Sequence, residues 1–137
     1  SRPASTARDD GLRLRDAWVT AAVRCAPPAN RPTPAERDAC LPWSVAELAL
    51  LPRVRVIVCL GAFAWDAALR LRVAAGLAPL RPRPAFGHGA LAAPGAGPAL
   101  LGCYHPSQQN TFTGRLTPGM LDEVLGSARE LARLGPA

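Results

Sequence analysis

The feature that most constrains this chain is the run Val54-Arg55-Val56-Ile57-Val58-Cys59-Leu60, followed at once by Gly61 and a helix-forming stretch. A short run dense in β-branched side chains suits a strand, and one with so few polar positions suits a strand covered on both faces. Gly61 supplies the permissive backbone that a direct strand-to-helix turn needs. The pattern predicts a central, parallel strand and a helix over Ala62 to Ala75, closed by Gly76.

The same alternation recurs on either side. Asp16 to Arg24 (DAWVTAAVR) reads as a buried strand, and Ala99 to Tyr104 (ALLGCY) as another. Thr33-Pro34-Ala35-Glu36 is a capping box with proline at the first helical position. The helix it starts should run to about Leu50, with Pro42 a kink and Pro52 the stop. Thr117-Pro118 opens a last helix to about Leu134, before Gly135-Pro136. Prolines exclude regular structure from Cys25 to Pro34 and from Ala78 to Pro84, while Ala92 to Pro98 and His105 to Leu116 read as loops. Trp18, Trp43 and Trp65 are expected to pack, and Arg53/Arg55 and Arg70/Arg72 to be solvated.

Strands alternating with helices predict a three-layer α/β/α fold with a mostly parallel sheet. Residues 1–137 are expected to form a single domain, with 1–14 a poorly ordered lead-in. Functional loops of such sheets lie beyond the carboxyl ends of the strands. Those ends fall at Arg24–Cys25, Leu60–Gly61 and Tyr104–His105.

Charge points the same way, weakly. All 16 basic residues are arginine, against 10 acidic residues, for a formal charge of +6. Guanidinium forks favour phosphate partners, although a coding bias toward Arg, Ala and Pro produces the same balance. No apolar run is long enough to span a bilayer, and Ser1 to Asp10 has no signal-peptide core, so a cytoplasmic protein is expected. Four cysteines in that setting are thiols or metal ligands rather than disulfides.

The chemistry concentrates after the last strand. His105-Pro106-Ser107-Gln108-Gln109-Asn110 leaves apolar chain and becomes polar at once. A histidine at a strand end can donate to a developing anion or move a proton near neutral pH. The amides that follow, with Thr111, Thr113, Gly114 and Arg115, suit phosphate contacts. A lone histidine in a solvated loop would be structural more often than catalytic.

The whole run HPSQQNTFTGRLT resembles the C-terminal active-site motif of the iron–sulfur uracil-DNA glycosylases: His-Pro-Ser, an Asn three residues after that Ser, then Thr113-Gly114-Arg115-Leu116-Thr117. The resemblance extends from Gly11 onward through Ala22-Val23-Arg24-Cys25-Ala26-Pro27-Pro28, Val56 to Phe63 and Phe86-Gly87-His88-Gly89. It is strongest to family 5; family 4 commonly has, where Ala21 stands, an Asn that reads the uracil edge. Full-length members are longer at the N-terminus, so the chain is expected to be an N-terminally truncated glycosylase-like domain.

The resemblance implies hydrolysis of the bond between deoxyribose and uracil, or other deaminated bases such as hypoxanthine, in DNA. It implies His105 as donor to the departing base and Asn30 as holder of the attacking water. Ser107, Asn110 and Arg115 would grip the DNA backbone, with Gln108 and Gln109 reaching toward the gap left by the base. Cys25 and Cys40 would be two of the four ligands of a [4Fe–4S] cluster in the complete protein, while Cys59 and Cys103 read as core residues. The partner would be uracil-containing DNA, bound by a monomer without a membrane. A catalytically inactive DNA-binding remnant is the alternative.

Overall fold

The computed structural model describes residues 4–134. The expected stop at Gly135-Pro136 and the first three residues of the lead-in lie outside them. Three strands form the sheet, β1 (Val56–Leu60), β2 (Leu91–Ala92) and β3 (Ala99–Cys103), in the order β1-β3-β2. β1 and β3 run parallel in register from Val56 opposite Ala99 to Leu60 opposite Cys103. β2 adds a two-residue antiparallel edge, with Leu91 opposite Leu101. The parallel pairing is the expected one. The central position belongs to β3 rather than β1, because the sheet carries no further strand beyond β1 among the described residues.

Helices cover both faces. α2 (Ala62–Ala74) packs one face through Trp65, Ala68 and Leu69 against Cys59 and Leu100. α1 (Pro34–Ala49) lies behind α2 rather than on the sheet. α4 (Pro118–Leu134) covers the other face, its Val124 and Ala128 meeting Leu101 and Cys103. This is the three-layer α/β/α arrangement. The capping box at Thr33 and Glu36 forms as expected, and α1 runs unbroken through Pro42.

Residues 16–24 do not form a strand. Trp18 is 63% exposed and Val19 77% exposed, so their β-branched and aromatic character is spent on no sheet neighbour. The segment is instead tied to α1 by Glu47, which accepts from the Trp18 indole, the Thr20 hydroxyl and the Arg24 guanidinium. Trp43 is also exposed, leaving Trp65 as the tryptophan that packs in the core. Arg72 is buried rather than solvated: its guanidinium donates to the carbonyls of Ala78 and Ala96, fastening the end of α2 to the loop that enters β3.

A candidate nucleobase site at the carboxyl end of the sheet

β1 ends in Gly61, whose φ of +95° turns the chain straight into α2. Its N–H donates to the Cys103 carbonyl at 2.8 Å, which ties that turn to the end of β3. Two residues further along β3's exit stands His105, exposed, with its Cβ beside the space that a side chain on Gly61 would enter. The His105 carbonyl accepts from Ser107 N and from Asn110 Nδ2, both at 2.8 Å. A five-residue helix, α3 (Gln108–Phe112), follows within the expected loop, and it exists because Ser107 caps it by accepting from Asn110 N. His105 is therefore held from behind and from ahead, with its ring left open to solvent.

The candidate DNA-binding residues are distributed over this unit. Gln108 and Gln109 are exposed on the first turn of α3. Asn110 spends one amide hydrogen on His105 and keeps a second. Arg115 lies over the Tyr104 ring at 4.7 Å, has no ion-pair partner among the described residues and is exposed. The hydroxyls of Thr111 and Thr113 turn back on the carbonyls of Ser107 and Gln109.

A second loop joins the first. Phe86-Gly87-His88-Gly89 continues the β2 edge along β3: Gly89 N donates to Gly102 O, and Gly102 N to Ala90 O, both at 2.8 Å. The approach is so close that a Cβ on Gly102 would meet the Gly87 carbonyl at 2.2 Å. Phe86 packs edge-on against Trp65, and His88 lies against Tyr104 with ring centroids 4.9 Å apart and planes tilted by 38°. The approach to this loop is anchored by α2, through Trp65 Nε1 donating to Pro84 O and Asp66 pairing with Arg83. In the sequence His88 is marked only as a histidine between two glycines.

Other candidates are not hydrogen-bonded to this unit among the described residues. Asn30 is exposed at the end of a 3-10 turn (Pro28–Asn30), and its side chain makes no hydrogen bond to the His105 loop among the described residues. Cys25 is exposed in irregular chain, while Cys40 is buried on α1.

The model of the uracil DNA glycosylase superfamily matches residues 4–129. The chain belongs to that superfamily. It is 56% identical over 131 residues to the type-5 uracil-DNA glycosylase of Mycobacterium tuberculosis, covering 95% of this chain and 47% of that protein. It is 50% identical over 137 residues to the type-5 enzyme of Thermus thermophilus, covering 98% and 58%. A type-4 uracil-DNA glycosylase of Archaeoglobus fulgidus matches over 55 residues at 47% identity, 39% of this chain and 27% of that protein. The chain spans about half the length of the curated relatives it matches.

Some members of the superfamily carry a [4Fe–4S] cluster, which needs four thiolates as a rule. The described residues do not complete such a site: no group of three or more His, Cys, Asp or Glu is placed to hold a metal. Cys59 and Cys103 cannot supply the difference. They belong to the packing on opposite faces of the sheet, and burial pushes the Cys59 thiol up to about 12 and raises that of Cys103, so both keep their protons.

Proposed function

We propose that this chain is the base-excising part of a uracil-DNA glycosylase acting in DNA base excision repair. The observation that carries the reading is the placement of His105: exposed, at the carboxyl end of the central strand, with its backbone fixed by Ser107 and Asn110. A donor in that setting is pre-organised for an anion that appears only as the bond breaks. The similarity to type-5 enzymes supports the same reading.

The substrate is uracil extruded from DNA into a site beside the strand end, at a stacking cost of a few kcal/mol. When the glycosidic bond breaks, its electron pair leaves on the uracil ring and positive charge develops on the sugar. His105 donates a hydrogen bond to the uracil oxygen that gathers this charge. Water, oriented by Asn30, adds its oxygen to the sugar carbon, and the proton it gives up neutralises the uracil anion, leaving an abasic site and free base.

Ser107, the second amide hydrogen of Asn110 and the Arg115 guanidinium contact the DNA backbone. Gln108 and Gln109 face the vacated position in the stack. Ala21 in place of an amide side chain fits a looser choice of base, hypoxanthine included. In the complete protein Cys25 and Cys40 would supply two of the four thiolates that hold a [4Fe–4S] cluster. We further propose a monomer, a single domain over residues 1–137 and a cytoplasmic location; among the described residues no helix is long and apolar enough to cross a membrane.

The test is release of free uracil from uracil-containing duplex DNA under single-turnover conditions. His105→Ala should slow release by about a hundredfold, the worth of one such donor. Absence of release at high enzyme excess, with salt-sensitive DNA binding retained, would overturn the reading in favour of a binding remnant.

A further inference from the structure

We propose that His88 is a positioning residue for His105, its neutral imidazole replacing a rung of the β-ladder at the strand end. The proposal rests on His105 being the working group of the site. In an extended strand, N–H groups two residues apart point to the same side. Gly102 N donates on the β2 side, to Ala90 O, and the Tyr104 N–H is directed the same way. No backbone carbonyl meets it there, because the chain has turned away: Ala90 N donates to Gly87 O, and Gly89 takes a φ of +76°.

The acceptor is instead His88 Nδ1, 3.1 Å from Tyr104 N. An accepting Nδ1 places the ring proton on Nε2 and makes the imidazole neutral. The ring also lies against the Tyr104 ring, tilted by 38°, so one residue contacts both the backbone N–H and the side chain of Tyr104. One peptide link separates this anchor from His105, whose own carbonyl is held by Ser107 and Asn110. Shifts of about 1 Å in a reacting group can cost about a hundredfold in rate, which is why such an anchor matters to chemistry and not only to folding.

Two variants of the full chain test this. His88→Ala removes the acceptor. His88→Asn keeps an oxygen one bond beyond Cγ, where Nδ1 stood. Amide exchange at Tyr104, read by NMR, should accelerate about tenfold in H88A and return close to the parent value in H88N. Single-turnover uracil release should fall about tenfold in H88A with DNA affinity unchanged, and recover in H88N. Equal exchange in parent and H88A, or no recovery in H88N, overturns the proposal. So does a ¹⁵N spectrum of the unmutated chain showing a protonated Nδ1 at neutral pH, a result that needs no variant to fold. Release of uracil by none of the proteins counts against the proposed reaction alone, since the exchange and ¹⁵N readouts use no substrate.

Discussion

A Cβ built on Gly61 would lie 3.4 Å from the Cβ of His105. The turn that launches α2 and the residue that leaves β3 thus share one small volume, and the Gly61–Cys103 hydrogen bond holds them together. The contact itself tolerates a methyl group; the backbone does not, because φ at Gly61 is +95°. Gly61→Ala should therefore cost about 1–3 kcal/mol through backbone strain and move His105 as the turn relaxes. A lowered melting temperature together with slower uracil release is the expected outcome. An unchanged melting temperature would show that this turn carries no strain against a side chain.

Asp66 fastens the path into the His88 loop. It pairs with Arg37 on α1, Arg70 on its own helix and Arg83 in the proline-rich segment. Arg70 and Arg83 are exposed enough that their pairs contribute little. Arg37 is 5% exposed and would keep only Asp38. Asp66→Ala, which removes the acceptor, should cost about 1.5–3 kcal/mol, the worth of a hydrogen bond to a charged group, and denaturant unfolding would measure it. Arg83→Ala should shift the midpoint far less.

The elements legible in the sequence are those whose signals are local. Val56 to Leu60 and the helix after Gly61 are set by composition and one turn; Thr33 and Glu36 specify the start of α1 within four residues. The segment around Trp18 was misleading because β-branched content describes a strand only where a neighbour completes the ladder. Its real partner, Glu47, is 29 residues away from Trp18. β2 is two residues long and exists by pairing with β3, and the burial of Arg72 depends on carbonyls at Ala78 and Ala96. Neither leaves a periodic trace. Of the site, the His105 loop was readable as polar residues after an apolar strand. The link from His88 to Tyr104 was not, since it spans 16 residues through a turn.

The four cysteines should separate by reactivity. Thiolate, not thiol, attacks an alkylating reagent, so a raised thiol pKa lowers the reactive fraction. Cys59 and Cys103 are fully buried with raised pKa values, whereas Cys25 is exposed. Mass spectrometry after brief treatment with iodoacetamide at mildly alkaline pH should find Cys25 modified first. Cys59 and Cys103 should react only on unfolding. Early labelling of either would contradict their place in the core.

Glu47 should make the Trp18–Arg24 segment sensitive to acid. The Thr20 hydroxyl, followed by the Trp18 indole and the Arg24 guanidinium, holds its carboxyl below the usual value of 4.5, against an opposing effect of burial. A depressed carboxylate contributes stability in full above its unfolded value and loses it as pH falls through the folded one. The tether is thus complete at neutral pH, begins to weaken as the pH falls below about 4.3, the unfolded glutamate value, and is lost through the lower folded value. Glu47→Gln keeps an acceptor but removes the charge that pairs with Arg24 at 2.5 Å. Limited trypsin digestion at neutral pH should therefore cut faster after Arg24 in E47Q than in the parent chain. Hydrogen exchange over residues 18–24 should show the parent approaching the E47Q pattern as the pH drops. Identical protection in both proteins at neutral pH would mean that contacts other than the carboxylate hold this segment to α1.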